Sequence, residues 1–313
     1  MGRFADVGGP TSSLQELHLS GISPPALLSI LSSTNDLVDL RLHDLPVTDH
    51  VSPQAMVAGL AVMTKLESLT IGFNPYFLAS LHPLPALNFS ARATLPTLTQ
   101  FQYRGSHTYL EDLVAQLDTP QLFDLTIQID DQSIVWQFYQ LFQFIDRAED
   151  LKLAQFRHAH AEIHSSNLFI HFNNAQTGQH TTHLTLGKVD HTAYDQLQFA
   201  GALLSQAPAI TSTVRNLSIT LLSQMVGYLD HTTLLGFLYP FVTAETLCIR
   251  GGFTDIFPPM LNDLSDELIT KVLPALHLLN FEDKPPELVK KLLLPFIKKR
   301  RFIGHPPLTI VNG

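Results

Sequence analysis

The chain has 313 residues, 45% of them hydrophobic and 15% charged, with a formal net charge of −9 and one cysteine, Cys248. The acidic balance argues against nucleic acid as the main partner, because phosphate binding needs clustered Lys and Arg. One cysteine excludes an intramolecular disulfide and fits a reducing compartment. No stretch approaches the ~20 consecutive apolar residues of a membrane span, and Met1 to Pro10 has none of the apolar run of a secretory signal.

From the N-terminus, one short pattern returns again and again: apolar, two variable, apolar, one variable, apolar. It appears as Leu14, Leu17, Leu19, then Leu37, Leu40, Leu42, then Leu66, Leu69, Ile71. It continues as Leu98, Phe101, Tyr103 and as Leu122, Leu125, Ile127, with weaker copies centred on Leu151, Leu184, Leu217, Leu247 and Leu279. The centres lie between 23 residues (Leu17 to Leu40) and 33 residues (Leu184 to Leu217) apart. Each copy predicts a strand, and periods of this length mark a solenoid of stacked units.

The segments between the copies predict the return path. Ser23-Pro24 and Ser52-Pro53 are cap residues followed by the favoured first helical residue, and helical spacing follows over Ala26–Leu31 and Ala55–Met63. Prolines 75, 83, 85 and 96 allow no more than one or two helical turns near Phe77–Leu81. Helices are predicted over Tyr109–Leu117, Ser133–Ile145, Ala193–Leu204, Leu264–Leu273 and Glu287–Lys299. Between Leu153 and Leu184 the pattern alternates instead. Ala159, Ala161 and Ile163 oppose His158, His160 and Glu162, and Leu168, Ile170 and Phe172 alternate in the same way. Two short strands with a turn at Ser165-Ser166-Asn167 fit this better than a helix. Leu308 to Val311 offers a last short strand.

These elements predict an α/β leucine-rich repeat solenoid, a horseshoe of about ten irregular repeats with a parallel sheet on its concave side. A single domain is expected over 1–313. Its parts are a lead-in at 1–13, an extended insert at 156–180, and a C-terminal helix and capping tail at 285–313. The chain resembles the leucine-rich repeat regions of fungal F-box-like proteins, through Leu14-x-x-Leu17-x-Leu19 and its copies, the His158–Phe172 insert and the Leu276–Pro306 tail ending in Gly304-His305-Pro306. The resemblance implies substrate recognition for ubiquitin ligation. The F-box itself, a helical module placed before the repeats in such proteins, is not expected to fit ahead of Leu14, so the chain reads either as a truncated member or as one that never joined a ubiquitin ligase.

No sequence motif for catalysis is present: no nucleophile elbow, phosphate-binding loop or zinc-protease helix. No enzyme activity, cofactor or metal is therefore expected. His158, His160, His164 and His171 could offer imidazoles to zinc, but with only Glu162 to assist, a solvated polar face is the simpler reading. Cys248 should point onto the open sheet beside Arg250, which could activate it; an inert small residue is the simpler reading here too. Lys290-Lys291 and Lys298-Lys299-Arg300-Arg301 read as a solvated helix face with cations at a helix C-terminus, or as a nuclear-import or anionic-surface patch. Asn88-Phe89-Ser90 and Asn216-Leu217-Ser218 match a glycosylation triplet by chance.

Strand alternation places Glu16, His18, Asp39, Arg41, His43, Thr70, Gln102, Arg104, Asp124, Thr126 and Lys152 on the open face of the sheet. A polar face opposite an apolar one is what a half-buried sheet requires, and its mixed signs suit a protein partner. The expected function is a non-catalytic protein-interaction module acting as a monomer. The cytoplasm is the expected location, with the nucleus as the alternative. A stand-alone scaffold or sensor unconnected to ubiquitin is the second reading, and a metal protein or enzyme using the histidine-rich insert is the third.

Overall fold

The computed structural model describes residues 14–46, 51–74, 92–130, 137–165, 167–174, 183–189, 193–222, 231–282 and 285–311. Several expectations lie outside these residues: the 1–13 lead-in, the Phe77–Leu81 turns, the start of the 133–145 helix with Trp136, Ser166, Asn88, and the 175–180 end of the insert.

The first half repeats strand and return. In chain order it runs β1 (Glu16–Ser20), α1 (Pro24–Leu31), β2 (Asp39–Leu45), α2 (Pro53–Leu60), β3 (Ser68–Phe73), β4 (Ala93–Thr94), β5 (Gln100–Gly105), α3 (His107–Val114), β6 (Leu117–Asp118) and β7 (Asp124–Ile129). The proline-start readings hold at both helices, but a side-chain cap forms only at Ser52, since Ser23 makes no cap hydrogen bond. Pro24 and Pro53 open α1 and α2 behind Ser23 and Ser52, and Ser52 Oγ accepts from the Ala55 amide at 3.2 Å.

The middle departs from this rhythm. After α4 (Tyr139–Arg147) and α5 (Glu149–Leu153) come three strands, β8 (His158–Ile163), β9 (Asn167–Asn173) and β10 (His183–Val189). The second half then resumes with α6 (Ala193–Ser205), α7 (Pro208–Thr211), β11 (Asn216–Leu221), α8 (His231–Leu238), β12 (Thr246–Gly251), α9 (Phe253–Asn262), α10 (Asp266–Lys271), β13 (Leu278–Phe281), α11 (Pro286–Leu292), α12 (Leu294–Phe302) and β14 (Thr309–Val311).

Among the described residues, twelve strands form one sheet in the order β1-β2-β3-β5-β7-β10-β9-β8-β11-β12-β13-β14, and β4 and β6 pair separately. The fold is therefore α/β with a large, mostly parallel sheet. It is not wholly parallel: β9 runs antiparallel to both β10 and β8. The alternating segment is extended over the described residues, but it is no insert outside the sheet. It supplies the central strands, in reversed order, with β10 parallel to β7 and β8 parallel to β11.

The register aligns inward residues from strand to strand, with one shift, between Leu42 and Leu45 on β2. Leu17, Leu40, Leu69, Phe101, Leu125, Leu184, Phe172, Ala159, Leu217, Leu247, Leu279 and Ile310 form one inward column. Leu19, Leu42, Ile71, Tyr103, Ile127, Leu186, Ile170, Ala161, Ile219, Ile249 and Phe281 form a second. These columns and the inner sides of the helices join in one connected core. Leu17, expected to be buried, is only partly so: among the described residues, β1 is an edge strand.

Three expected elements need correction. Leu151 does not centre a strand. It is the buried residue of α5, whose first turn carries Glu149 and Asp150 and whose last turn carries Lys152, the arrangement the helix dipole favours. The strand of that unit is β8, built on Ala159 and Ala161, whose small side chains hide the leucine pattern. The 287–299 helix is two helices that meet at Leu293, just ahead of Pro295. Asn262 joins their ends, its Nδ2 donating to the Leu292 carbonyl (2.8 Å) and its Oδ1 accepting from the Phe296 amide (3.2 Å). The helix α4 begins at Tyr139, where Glu111 of α3 accepts from the amides of Gln140 (2.7 Å) and Leu141 (2.9 Å).

Threonine hydroxyls stitch one unit to the next. Thr97 Oγ1 donates to the carbonyls of Thr64 and Leu66 at 3.0 and 2.9 Å. Thr243 does the same to Ser212 and Val214 at 2.8 and 2.9 Å. The turn after β12 needs glycine: Gly251 has φ +63°, and a Cβ there would collide with the Leu221 carbonyl.

Leu69→Ala or Leu217→Ala should each cost about 2–5 kcal/mol in denaturant unfolding, and Leu17→Ala at the edge distinctly less. Thr243→Val should cost about 1–2 kcal/mol, since it removes the donor to the paired carbonyls without changing shape.

Candidate interaction surface

The side chains between the two inward columns point to the other side of the sheet and form three polar rows. The first runs Glu16, Asp39, Ser68, Gln100, Asp124, His183, Asn173, His158, Asn216 and Thr246. The second runs His18, Arg41, Thr70, Gln102, Thr126, Thr185, His171, His160, Ser218, Cys248 and Asn280. In the third, Ser20 faces His43 on β2, and past the irregularity at Asp44 the row resumes with Gly72, Arg104, Gln128, Gly187, Phe169, Glu162, Thr220 and Arg250.

Ten of the eleven residues expected on this face are there: Glu16, His18, Asp39, Arg41, His43, Thr70, Gln102, Arg104, Asp124 and Thr126. Lys152 is not. It is exposed on α5, away from the strand ladder, because its segment is helical.

Over β1 to β7 two arginines of the face meet acids. Arg41 meets the Asp39 carboxylate at 2.7 Å. Arg104 Nε meets Asp130 Oδ2 at 2.6 Å, with the Asp130 side chain fully buried just beyond β7. Burial raises the Asp124 carboxyl above its ordinary range, with His183 opposing the shift.

The middle of the face gathers the histidines and Glu162 that the sequence grouped, and adds Phe169 and Thr185, which it did not. His160 Nε2 lies 2.9 Å from Glu162 Oε1, and His164 Nε2 lies 3.6 Å from the other carboxylate oxygen. Burial would push the Glu162 carboxyl up, but the hydrogen bonds and charges of its histidine neighbours outweigh this and hold it below its ordinary value. His171 Nδ1 sits 3.1 Å from Thr185 Oγ1. Its ring is nearly parallel to that of Phe169 (6.0 Å, 24°) and to that of His160 (6.4 Å, 22°). Phe169 is half-buried yet on the polar side of the sheet, seated over Gly187, where a Cβ would come within 2.8 Å of its ring. The alternation of β9 could have identified Phe169, since it lies between the inward Leu168 and Ile170.

Toward β13 the cluster continues. Glu282 holds Arg250 and accepts from Cys248 Sγ at 3.4 Å. Burial raises the Cys248 thiol, and Glu282 adds to the shift, so the activation that Arg250 could have supplied is cancelled by the carboxylate between them. Among the described residues, no group of three or more His, Cys, Asp or Glu side chains is arranged to hold a metal ion, and no helix is long and apolar enough to cross a membrane.

No family model matches the chain, and none of the curated proteins matches it. Among solved structures it is similar to the crystal structure of the leucine-rich repeat-containing protein LegL7 from Legionella pneumophila. That likeness has 13% identity and a TM-score of 0.38, over 95% of this chain and 83% of that one.

Burial lowers His171 below its ordinary 6.5, with His160 and His183 adding to the shift and Glu162 opposing it. The unfolded chain therefore takes up this proton first as pH falls. The stability tied to neutral His171 is complete above 6.5 and is lost below it, whereas that of Glu162 is lost only below 4.5. Between about pH 7.5 and 5.5 the thermal midpoint of the native chain should fall more than that of His171→Gln, other groups cancelling in the comparison. Equal slopes would show that the imidazole is not the group responsible.

Proposed function

We propose that this chain is a leucine-rich repeat solenoid of about ten irregular units, a non-catalytic module whose open sheet face binds a protein partner. In the finer form of this reading, the chain is a monomeric substrate-recognition region of an F-box-like protein, in the cytoplasm or nucleus. The carrying observation is the Phe169 ring, held half-exposed at mid-sheet between His171 and His164 and bordered by Glu162 and His160. Interfaces concentrate their energy in such central aromatic anchors with a polar surround. The face is also long and in register, so residues far apart in sequence form one contiguous surface.

Pull-down with the intact chain in the source cells supplies the partner. Phe169→Ala should then weaken binding roughly 30-fold, as expected of a central anchor. The charge swap Asp39→Arg/Arg41→Asp, which keeps the local pair, should weaken it less and leave the thermal midpoint nearly unchanged. Full affinity in both variants, with loss on mutating the helices instead, would refute the placement. Co-purification of ubiquitin-ligase subunits with the full gene product supports the F-box-like form, and their absence favours a stand-alone scaffold.

A further inference from the structure

The four consecutive cations at the end of α12 divide by direction. Lys299 and Arg300 turn inward. Lys299 Nζ donates to the carbonyls of Asn262 (3.3 Å) and Leu264 (3.0 Å). Arg300 is buried and donates to those of Leu273 (3.3 Å), Pro274 (3.4 Å) and Leu276 (2.7 Å). Burial pushes its guanidinium down to about 10. These two fasten α12 to the ends of α9 and α10.

Lys298 and Arg301 have no such task. Both are exposed, and they share the outer face of α12 with Leu294 and Phe302, at helical spacings of three and four. Leu294 is 46% exposed and Phe302 89%, and α12 carries no acidic residue. The preceding helix repeats the combination. Leu288 and Leu292, 46% and 41% exposed, share a face with the exposed Lys291 at spacings of three and four. The one acid of α11, Glu287, stands 3.9 Å from Lys290. In a chain of net charge −9 this is a local cationic patch, and it coincides with large apolar side chains left in water.

We propose that the outer face of α11 and α12 docks on an anionic lipid surface. Phe302 and Leu294 enter the boundary between headgroups and acyl chains, and Lys298, Arg301 and Lys291 meet the anionic headgroups. Peripheral docking of this kind takes two weak signals, buried apolar area and basic charge, and needs no spanning segment. A nucleic acid would neutralise the cations but leave Leu288, Leu292, Leu294 and most of Phe302 unburied. The acidic remainder of the chain does not abolish the attraction, because charge beyond about 8 Å is screened at physiological salt.

The test is co-sedimentation of the intact chain with vesicles of phosphatidylcholine alone and of phosphatidylcholine with phosphatidylserine. Binding should require phosphatidylserine and weaken with salt. Lys298→Glu/Arg301→Glu should reduce it at least roughly 30-fold, and Phe302→Ser roughly tenfold. All three residues are exposed, so the thermal midpoints should match that of the native chain. The proposal is overturned by no binding to either vesicle, by equal binding to both, or by binding that Phe302→Ser leaves intact. It is likewise overturned if duplex DNA or RNA binds more tightly than the vesicles, or if Phe302→Ser abolishes self-association in gel filtration while vesicles are ignored.

Discussion

Register is the constraint on which this molecule rests. Each strand must bring two apolar residues, two positions apart, level with those of its neighbour, and the next strand must do the same. A slip of one residue in any strand would turn its apolar pair to water and its polar residues into the core. Matched columns across twelve strands are thus a condition on every unit, and they explain why the side chains in them vary in size but not in character. Where β8 supplies only Ala159 and Ala161, its neighbour β9 supplies Phe172 and Ile170, and Phe156 packs against Phe172 with ring centroids 6.0 Å apart. Volume is made up sideways, so the interior stays filled without a leucine at every position.

This constraint decides what could be read from the sequence. Strands that met the column requirement with Leu, Ile, Phe or Tyr were legible, including the short β14. So were their outward residues, since alternation fixes both faces at once. The unit containing β8 was misread because alanine carries little hydrophobic signal, whereas Leu151, eight residues before Ala159 and ten before Ala161, carries much. Leu151 satisfies burial as a helix residue instead. Apolar spacing alone cannot separate the two roles over so short a run. The antiparallel hairpin was legible as strands but not as part of the sheet, because nothing local says where a strand will pair.

The fastenings were illegible for the same reason. Glu111 capping α4, Asn262 bridging α11 and α12, Thr97 and Thr243 binding carbonyls of the preceding unit, and Arg300 meeting carbonyls of the Leu273–Leu276 turn all span 24 to 34 residues. Each satisfies backbone groups that an irregular turn would otherwise leave unpaired in a partly dry setting. In sequence these are ordinary polar residues. Their role exists only once the stacking distance between units is set, and the columns set it.

The reversed strands at mid-sheet set this sheet apart from a simple stack of strand-and-return units. In a simple stack each unit touches only its neighbours, and a terminal unit can be lost without harm to distant ones. Here β7 pairs with β10 and β8 pairs with β11, so the chain passes over its own next position and returns to fill it. Residues between β7 and β11 therefore close the sheet from both directions and cannot be removed in part without opening it. The same reversal delivers His160, Glu162, Phe169 and His171 from a hairpin into the centre of the open face. That face would otherwise carry one outward set per repeat. The aromatic and titratable cluster is thus a product of topology: it lies where the ladder depends most on long-range pairing, and the side chains that give the face its character are held by the least divisible part of the fold.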